Sequence, residues 1–272
     1  MITTANPNQI AEALTGRNYT SFSAITTYQA CPLRYFFRYV EGLPEETVGS
    51  SLVFGGAIHS ALEAHFRELL TGNSAPDLGV LLAAYQDAWK ERDMGSVHFG
   101  KDETAESLGR LADRMLRAFQ SSDLAAPSGT ILGIEEELRE ALVPGCPDLL
   151  ARIDLLIDTG TELVVRDFKT ARSRWSQDQA NESASQLLLY SELVQKLDPT
   201  KSVRLEFAVL TKAKQPTVDR LGVPVDRRQV QRIKRTVERV WRAIEERHFY
   251  PSPSAMNCPT CPFRAPCRAW PG

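Results

Sequence analysis

The order of elements along the chain predicts an α/β protein built on a mixed sheet flanked by helices, with a helical insertion near the N-terminus. Three observations carry that expectation. Helix-period segments dominate up to Pro127. Short segments rich in Ile, Leu and Val, bounded by turn residues, follow it. A helical stretch and then two more such segments come next. At 272 residues and 43% hydrophobic, the chain can bury one sizeable core, and one elaborated domain is expected.

Residues 1–19 read as a loose leader. "SFSAITTYQACPLRYFFRYV" (21–40) reads as helix-period with dense aromatics and Ser23 as N-cap. "GAIHSALEAHFRELL" (56–70) places Ile58, Leu62, Phe66 and Leu69 on one helical face. Helical segments at about 77–91 and 104–119 flank the glycine-containing "DMGSVHFGKD". Then come the strands "TILGIEEEL" (130–138), "LLARIDLLID" (149–158) and "ELVVRDFKT" (162–170), the last two joined by "DTGT". "ESASQLLLYSELVQKL" (182–197) returns to helix period, 203–211 and about 217–225 read as strands, and 226–247 reads as a long helix with Val230, Ile233, Val237, Trp241 and Ile244 inward.

The N-terminus lacks the basic start and apolar stretch of a signal peptide, and no run reaches the roughly 18 apolar residues of a membrane span. A cytoplasmic protein without membrane association is expected, in which clustered cysteines suggest metal or catalysis rather than disulfides. The net charge of −2 does not announce a nucleic-acid binder, although a local basic face would suffice. No P-loop motif is present, so any helicase partner must be a separate polypeptide.

Chemistry concentrates in the middle. Asp154 sits inside an apolar strand, and Asp167 lies near the end of the next. Neighbouring strands run about 4.8 Å apart, so two such carboxylates can converge on one hard cation. Lys169, two residues after Asp167, shares its face of the strand. A cation with a lysine beside it is a recipe for phosphodiester hydrolysis. A solvated salt bridge is the plain alternative for the Asp–Lys pair, but a carboxylate inside "ARIDLLID" is costly to bury without a partner. His59 is a further candidate ligand, with a structural helix histidine as its alternative.

Taken in order, "GAIHSALE", "RIDLLID", "DFKT" and "QLLLY" resemble the RecB/AddB-type branch of the PD-(D/E)XK nuclease superfamily. The resemblance implies a restriction-endonuclease-like sheet and a Mg²⁺- or Mn²⁺-dependent nuclease centre. In it His59, Asp154, Asp167 and the Phe168 carbonyl face the metal, and Lys169 is the catalytic lysine. Gln186 and Tyr190, one helical turn apart, would organise the site and contact DNA. Ala151 stands where the family often has glycine. Glu135, Glu136 and Glu137 lie where some members place another acid; alternation pairs Glu135 with Glu137 and leaves open which faces inward.

The tail "NCPTCPFRAPC" packs three cysteines into eleven residues, one ligand short of a tetrahedral site. Spacing alone does not separate zinc from an iron–sulfur cluster. Members of the same branch hold a [4Fe–4S] cluster with one upstream and three C-terminal cysteines. By that resemblance Cys31 joins Cys258, Cys261 and Cys267, with Zn²⁺ as the alternative, and the cluster staples the chain's two ends. Cys146 reads as an ordinary loop cysteine, and His65, His98 and His248 as structural or exposed. The expected organisation is the leader 1–19 followed by a single nuclease domain over 20–272. Within it lie a helical insertion at about 57–127, a core at about 128–247, and a cysteine tail at 248–272.

For DNA contact, Arg172, Arg174 and Trp175 directly follow Lys169, where the aromatic could stack on a base. The arginine-rich helix 226–247 reads either as a solvated face or as a phosphate-tracking stripe. The expected function is a metal-dependent exonuclease on single-stranded DNA or DNA ends, serving repair and recombination, phage DNA metabolism or CRISPR adaptation. A catalytically silent module that binds DNA or a helicase is the alternative.

Overall fold

The structure, a computed structural model, describes residues 6–91 and 94–271. The first five residues of the predicted leader, and Asp93 in the "DMGSVHFGKD" stretch, lie outside the described residues. The rest of that leader is not all loose: Pro7–Thr15 form helix α1. Asn6 caps it by accepting from the Asn8 N–H, Pro7 opens it, and Ala11 is buried.

Strand β1 (Thr20–Ser21) leads into α2 (Phe22–Ala30), which is capped by Ser21 rather than Ser23: the Ser21 hydroxyl accepts from the Ala24 N–H at 3.2 Å. The single run read over 21–40 breaks at Cys31, which is extended at φ −166°, ψ 110°. Pro32 disfavours the helical conformation in the residue before it and then opens α3 (Pro32–Tyr35), which passes into a π-turn over Phe36–Val40. The chain continues through β2 (Val48–Gly49), α4 (Ser50–Leu70), α5 (Leu78–Lys90), β3 (Val97–His98), α6 (Ala105–Gln120) and a 3₁₀ turn at Asp123–Ala125. Strands β4 (Thr130–Glu140), β5 (Leu149–Asp158) and β6 (Glu162–Ala171) follow. The helix predicted over 182–197 is two helices, α7 (Gln177–Ser183) and α8 (Ser185–Val194), which start upstream of it. Then come β7 (Ser202–Thr211), β8 (Val218–Val223), α9 (Arg227–Glu245) and the short α10 (Arg264–Arg268). Among the described residues, no helix is long and apolar enough to cross a membrane.

Two compact units share these elements. The larger comprises Val48–Glu136 and Arg152–Asp226. Its sheet is mixed: β5 pairs antiparallel with β6, β6 parallel with β7, and β7 antiparallel with β8, while β4 pairs with β5. Alternation along β6 sends Val164 and Phe168 to one face, into a core with Ile58, Phe66, Met115 and Phe119 of α4 and α6. Phe168 stacks on Phe66, with ring centres 5.7 Å apart. Asp167 and Lys169 go to the opposite face. Burying each of these phenyl rings contributes about 2–3 kcal/mol.

Arg166, on the core face of β6, is 4% exposed, and its Nε donates to Glu206 Oε1 at 2.6 Å across the parallel pairing Arg166↔Glu206. Neither residue stood out in the sequence. Removing one partner of such a pair strands a buried charge. Arg166→Met should therefore cost about 3–5 kcal/mol and lower Tm by roughly 10 °C. Arg166→Met/Glu206→Leu should recover most of that loss in thermal melts.

The smaller unit comprises Met1–Thr47, Glu137–Ala151 and Arg227–Gly272. In it β1 pairs parallel with the start of β5, Thr20 opposite Leu149. Helix α9 buries Val230, Val237, Val240, Trp241 and Ile244, and Ile233 is half-buried. Leu33, Phe37 and Phe263 form a second small core, with Cys31, Cys261, Cys267 and Trp270 packed against it.

Candidate active site

The antiparallel ladder of β5 and β6 runs from Asp158↔Leu163 to Leu155↔Arg166. One step further on, Asp154 Oδ2 accepts the Phe168 backbone N–H at 2.7 Å. That bond aims the Asp154 carboxylate toward Asp167 and Lys169. Lys169 Nζ lies 2.5 Å from Asp167 Oδ2, an ion pair off the line of a hydrogen bond, so that buried oxygen has no hydrogen-bond partner. The ammonium also sits 5.9 Å from the centre of the Phe207 ring.

Helix α4 brings His59 to the same place. Its Nε2–H donates to the Phe168 carbonyl at 2.8 Å, which turns Nδ1 toward Asp154 Oδ2 (3.5 Å) and Glu135 Oε1 (4.0 Å). The Phe168 carbonyl is thus engaged by His59. His59, Glu135 and Asp154 each offer a ligand atom, and the three atoms lie within 4.8 Å of one another.

Of the three consecutive glutamates, Glu135 is the one that faces this group. Glu135 adopts φ +50°, a left-handed conformation that interrupts the strand's period. The turn of the backbone there also explains Gly133: a side-chain carbon at that position would lie 2.8 Å from Glu136 Cβ. Arg152, absent from the sequence-derived site, lies with its Nε 3.9 Å from Glu135 Oε2. Its place two residues before Asp154 on the same strand was the signal for it.

Electrostatics agree with a site built for a cation. Burial, then the charge of Asp167, pushes the Asp154 carboxyl well above the usual carboxylate range, against the pull of His59, the Phe168 N–H and Lys169. At His59 burial opposes the imidazolium, but the neighbouring carboxylates of Glu135, Asp154 and Asp167 outweigh it and raise the pKa. The crowded carboxylates of Glu135 and Asp154 and the His59 imidazole make a donor set that fits a divalent cation.

On α8, Gln186 Nε2 donates to the Tyr190 hydroxyl at 3.1 Å. Burial pushes the Tyr190 phenol up to about 12, against the Gln186 bond and the Arg152 backbone N–H. The predicted pair therefore does share one helix face. A cleft of about 560 Å³ opens over the centre, lined by His59, Glu135, Arg152 and Lys169 together with Gly55, Gly56 and Ser60 of α4. Arg172, Arg174 and Trp175 are not among its lining residues. Arg174 is clamped to Asp219 by bonds of 2.9 and 2.6 Å, and Trp175 packs edge-on against Phe207 at 5.2 Å.

The smaller unit brings the four predicted cysteines together. Cys31, Cys258, Cys261 and Cys267 line one cavity of about 220 Å³, with Arg34, Arg264 and Arg268 in its walls. The break before Pro32 places Cys31 there. The Ser252 N–H points at Cys31 Sγ (3.5 Å) and the Ser254 N–H at Cys258 Sγ (3.2 Å). Arg34 Nε is buried without a hydrogen-bond partner. Burial, then the other three thiols, raises the Cys267 pKa. Four sulfurs, aimed N–H groups and unspent cationic charge fit an anionic metal–thiolate group. Cys146 is buried and does not line the cavity.

A family model described as the PD-(D/E)XK nuclease superfamily matches residues 19–268. Among solved structures, the chain is similar to a "putative exonuclease" from Eubacterium rectale: 15% identity over 99% of this chain and 93% of that one, with TM-score 0.60. That likeness shows a shared fold. The structure of SSO0001 is 14% identical over 91% of this chain and 95% of that one, at TM-score 0.37, too loose for any conclusion. None of the curated proteins matches the chain.

Proposed function

The chain belongs to the PD-(D/E)XK nuclease superfamily, and from that premise we propose that it is a metal-dependent deoxyribonuclease acting as an exonuclease on single strands or ends of DNA. We read residues 20–272 as one nuclease domain of the RecB/AddB-type branch. The observation that carries the proposal is the convergence of His59, Glu135 and Asp154, with the Asp167–Lys169 pair on the neighbouring strand.

His59, Glu135, Asp154 and Asp167 would hold a Mg²⁺ or Mn²⁺ ion. When bound, such an ion supplies charge neutralisation for a phosphodiester and a nucleophile at neutral pH. The protein's own groups do the rest. The Nε2–H bond to the Phe168 carbonyl fixes the His59 tautomer, so its Nδ1 lone pair faces the carboxylates. The Lys169 ammonium, held at Asp167, meets negative charge as it develops on the scissile phosphate. Arg152 adds a cation to the cleft wall for the phosphates on either side. Gln186 and Tyr190, bonded to each other on α8, would back the site from beside Asp154 and Asp167, whose charges reach the Tyr190 phenol. The arginines after Lys169 contribute long-range attraction more than contact, since Arg174 is committed to Asp219.

We further read Cys31, Cys258, Cys261 and Cys267 as ligands of a structural [4Fe–4S] cluster. The test of the active site is binding of Mn²⁺ itself. Calorimetric titration should give saturable binding in the wild type that is lost in Asp154→Asn. Equal binding by both proteins would overturn the ligand assignment.

A further inference from the structure

Helix α4 carries two consecutive glycines, Gly55 and Gly56, one turn ahead of His59. A glycine inside a helix costs about 1 kcal/mol relative to alanine, so a pair in the second turn of a 21-residue helix calls for a reason. Backbone conformation supplies none, because neither is among the glycines with positive φ. Packing supplies none either. A side-chain carbon at Gly56 would meet nothing within 4 Å, and one at Gly55 would touch only Thr170 Oγ1 at 3.5 Å, an ordinary contact. On the buried side of the same helix, where space is short, the small residues are Ala57 and Ala61, which keep their methyl groups in the core. The glycines lie instead on the side that lines the cleft, together with Ser60, His59 and Lys169.

We infer that Gly55 and Gly56 are the seat of the substrate strand. They are kept bare so that the sugar–phosphate backbone of a single DNA strand lies against α4 at van der Waals distance, with its scissile phosphate beside His59 and Lys169. The inference rests on the nuclease function proposed above and narrows its substrate. A concavity of about 560 Å³ has the size of a small-molecule site. It takes a short stretch of one strand. Arg152 and Lys169 stand in the cleft walls as counter-charge for the phosphates, beside the acids Glu63, Glu91 and Glu135.

Two substitutions separate this role from a structural one. Gly56→Ala and Gly56→Leu put better helix formers at an uncrowded position, so Tm should hold or rise. In the cleavage-silent Lys169→Ala background, anisotropy with a fluorescein-labelled single-stranded 20-mer should show binding weakened a few-fold by Gly56→Ala and at least tenfold by Gly56→Leu. With Lys169 intact, the same two substitutions should lower kcat/KM in the same order. A folded Gly56→Leu protein that binds and cuts within twofold of its parent overturns the inference, as does a fall in Tm that accounts for the lost affinity. If the wild type binds the strand but leaves it uncut with Mn²⁺, the nuclease function falls while the binding comparison still decides the seat. A wild type that does not bind at all overturns both.

Discussion

Lys169→Ala should cut DNA cleavage by about a hundred- to a thousandfold while leaving DNA affinity within a few-fold, with a lowered Tm because the buried Asp167 loses its ion-pair partner. The side chain is about one-third exposed, and its ammonium touches Asp167 rather than the core, so truncation opens no cavity. What it removes is the ammonium held 2.5 Å from Asp167. Arg152 remains in the cleft wall, so the DNA affinity of the proposed nuclease should persist. Single-turnover rates on end-labelled DNA, measured beside equilibrium binding, check both halves. Cleavage within a few-fold of wild type would remove Lys169 from the catalytic centre.

On the proposed reading of the four cysteines as cluster ligands, Cys261→Ser should lose the bound metal and most of the protein's thermal margin. Cys31 and the C-terminal trio are far apart in sequence, and joining them closes a loop of roughly 230 residues. Loop-closure entropy for that length is worth about 5 kcal/mol, or a Tm lowered by roughly 10–20 °C. The loss reaches beyond entropy. Cys261 and Cys267 also pack on the Leu33–Phe37–Phe263 core, and Arg34 and the Ser252 and Ser254 N–H groups point into the cavity. Without a cluster those groups lose their partner, and a poorly soluble protein is expected. Iron and zinc content and a melting curve, taken on wild type and variant from the same anaerobic preparation, give the result. An unchanged Tm would contradict the staple.

Much of this was legible because period and punctuation agree with the fold. Strands β5 and β6 show as Ile/Leu/Val runs closed by "DTGT", and the D-x-K spacing puts Asp167 and Lys169 on one face, as found. The four cysteines share one cavity although their positions lie at opposite ends of the chain. Three features were not legible, each for a physical reason. The left-handed Glu135 breaks the alternation on which strand reasoning depends. The break at Cys31 is set by Pro32 against an otherwise helical pattern. The Arg166–Glu206 pair and the Arg174–Asp219 clamp join residues distant in sequence, whose charges alone read as solvent-facing.

The central claim is that the carboxylates of β4, β5 and β6, with His59, form a divalent-cation nuclease centre. Its most direct test is degradation of a 5′-labelled single-stranded DNA by protein stripped with EDTA and then titrated with Mn²⁺ or Mg²⁺. The stripped protein should leave the strand intact, and added Mn²⁺ should restore cleavage in the wild type but not in Asp154→Asn or Asp167→Asn. Cleavage that survives chelation, or a strand left whole at every Mn²⁺ and Mg²⁺ concentration, would contradict it.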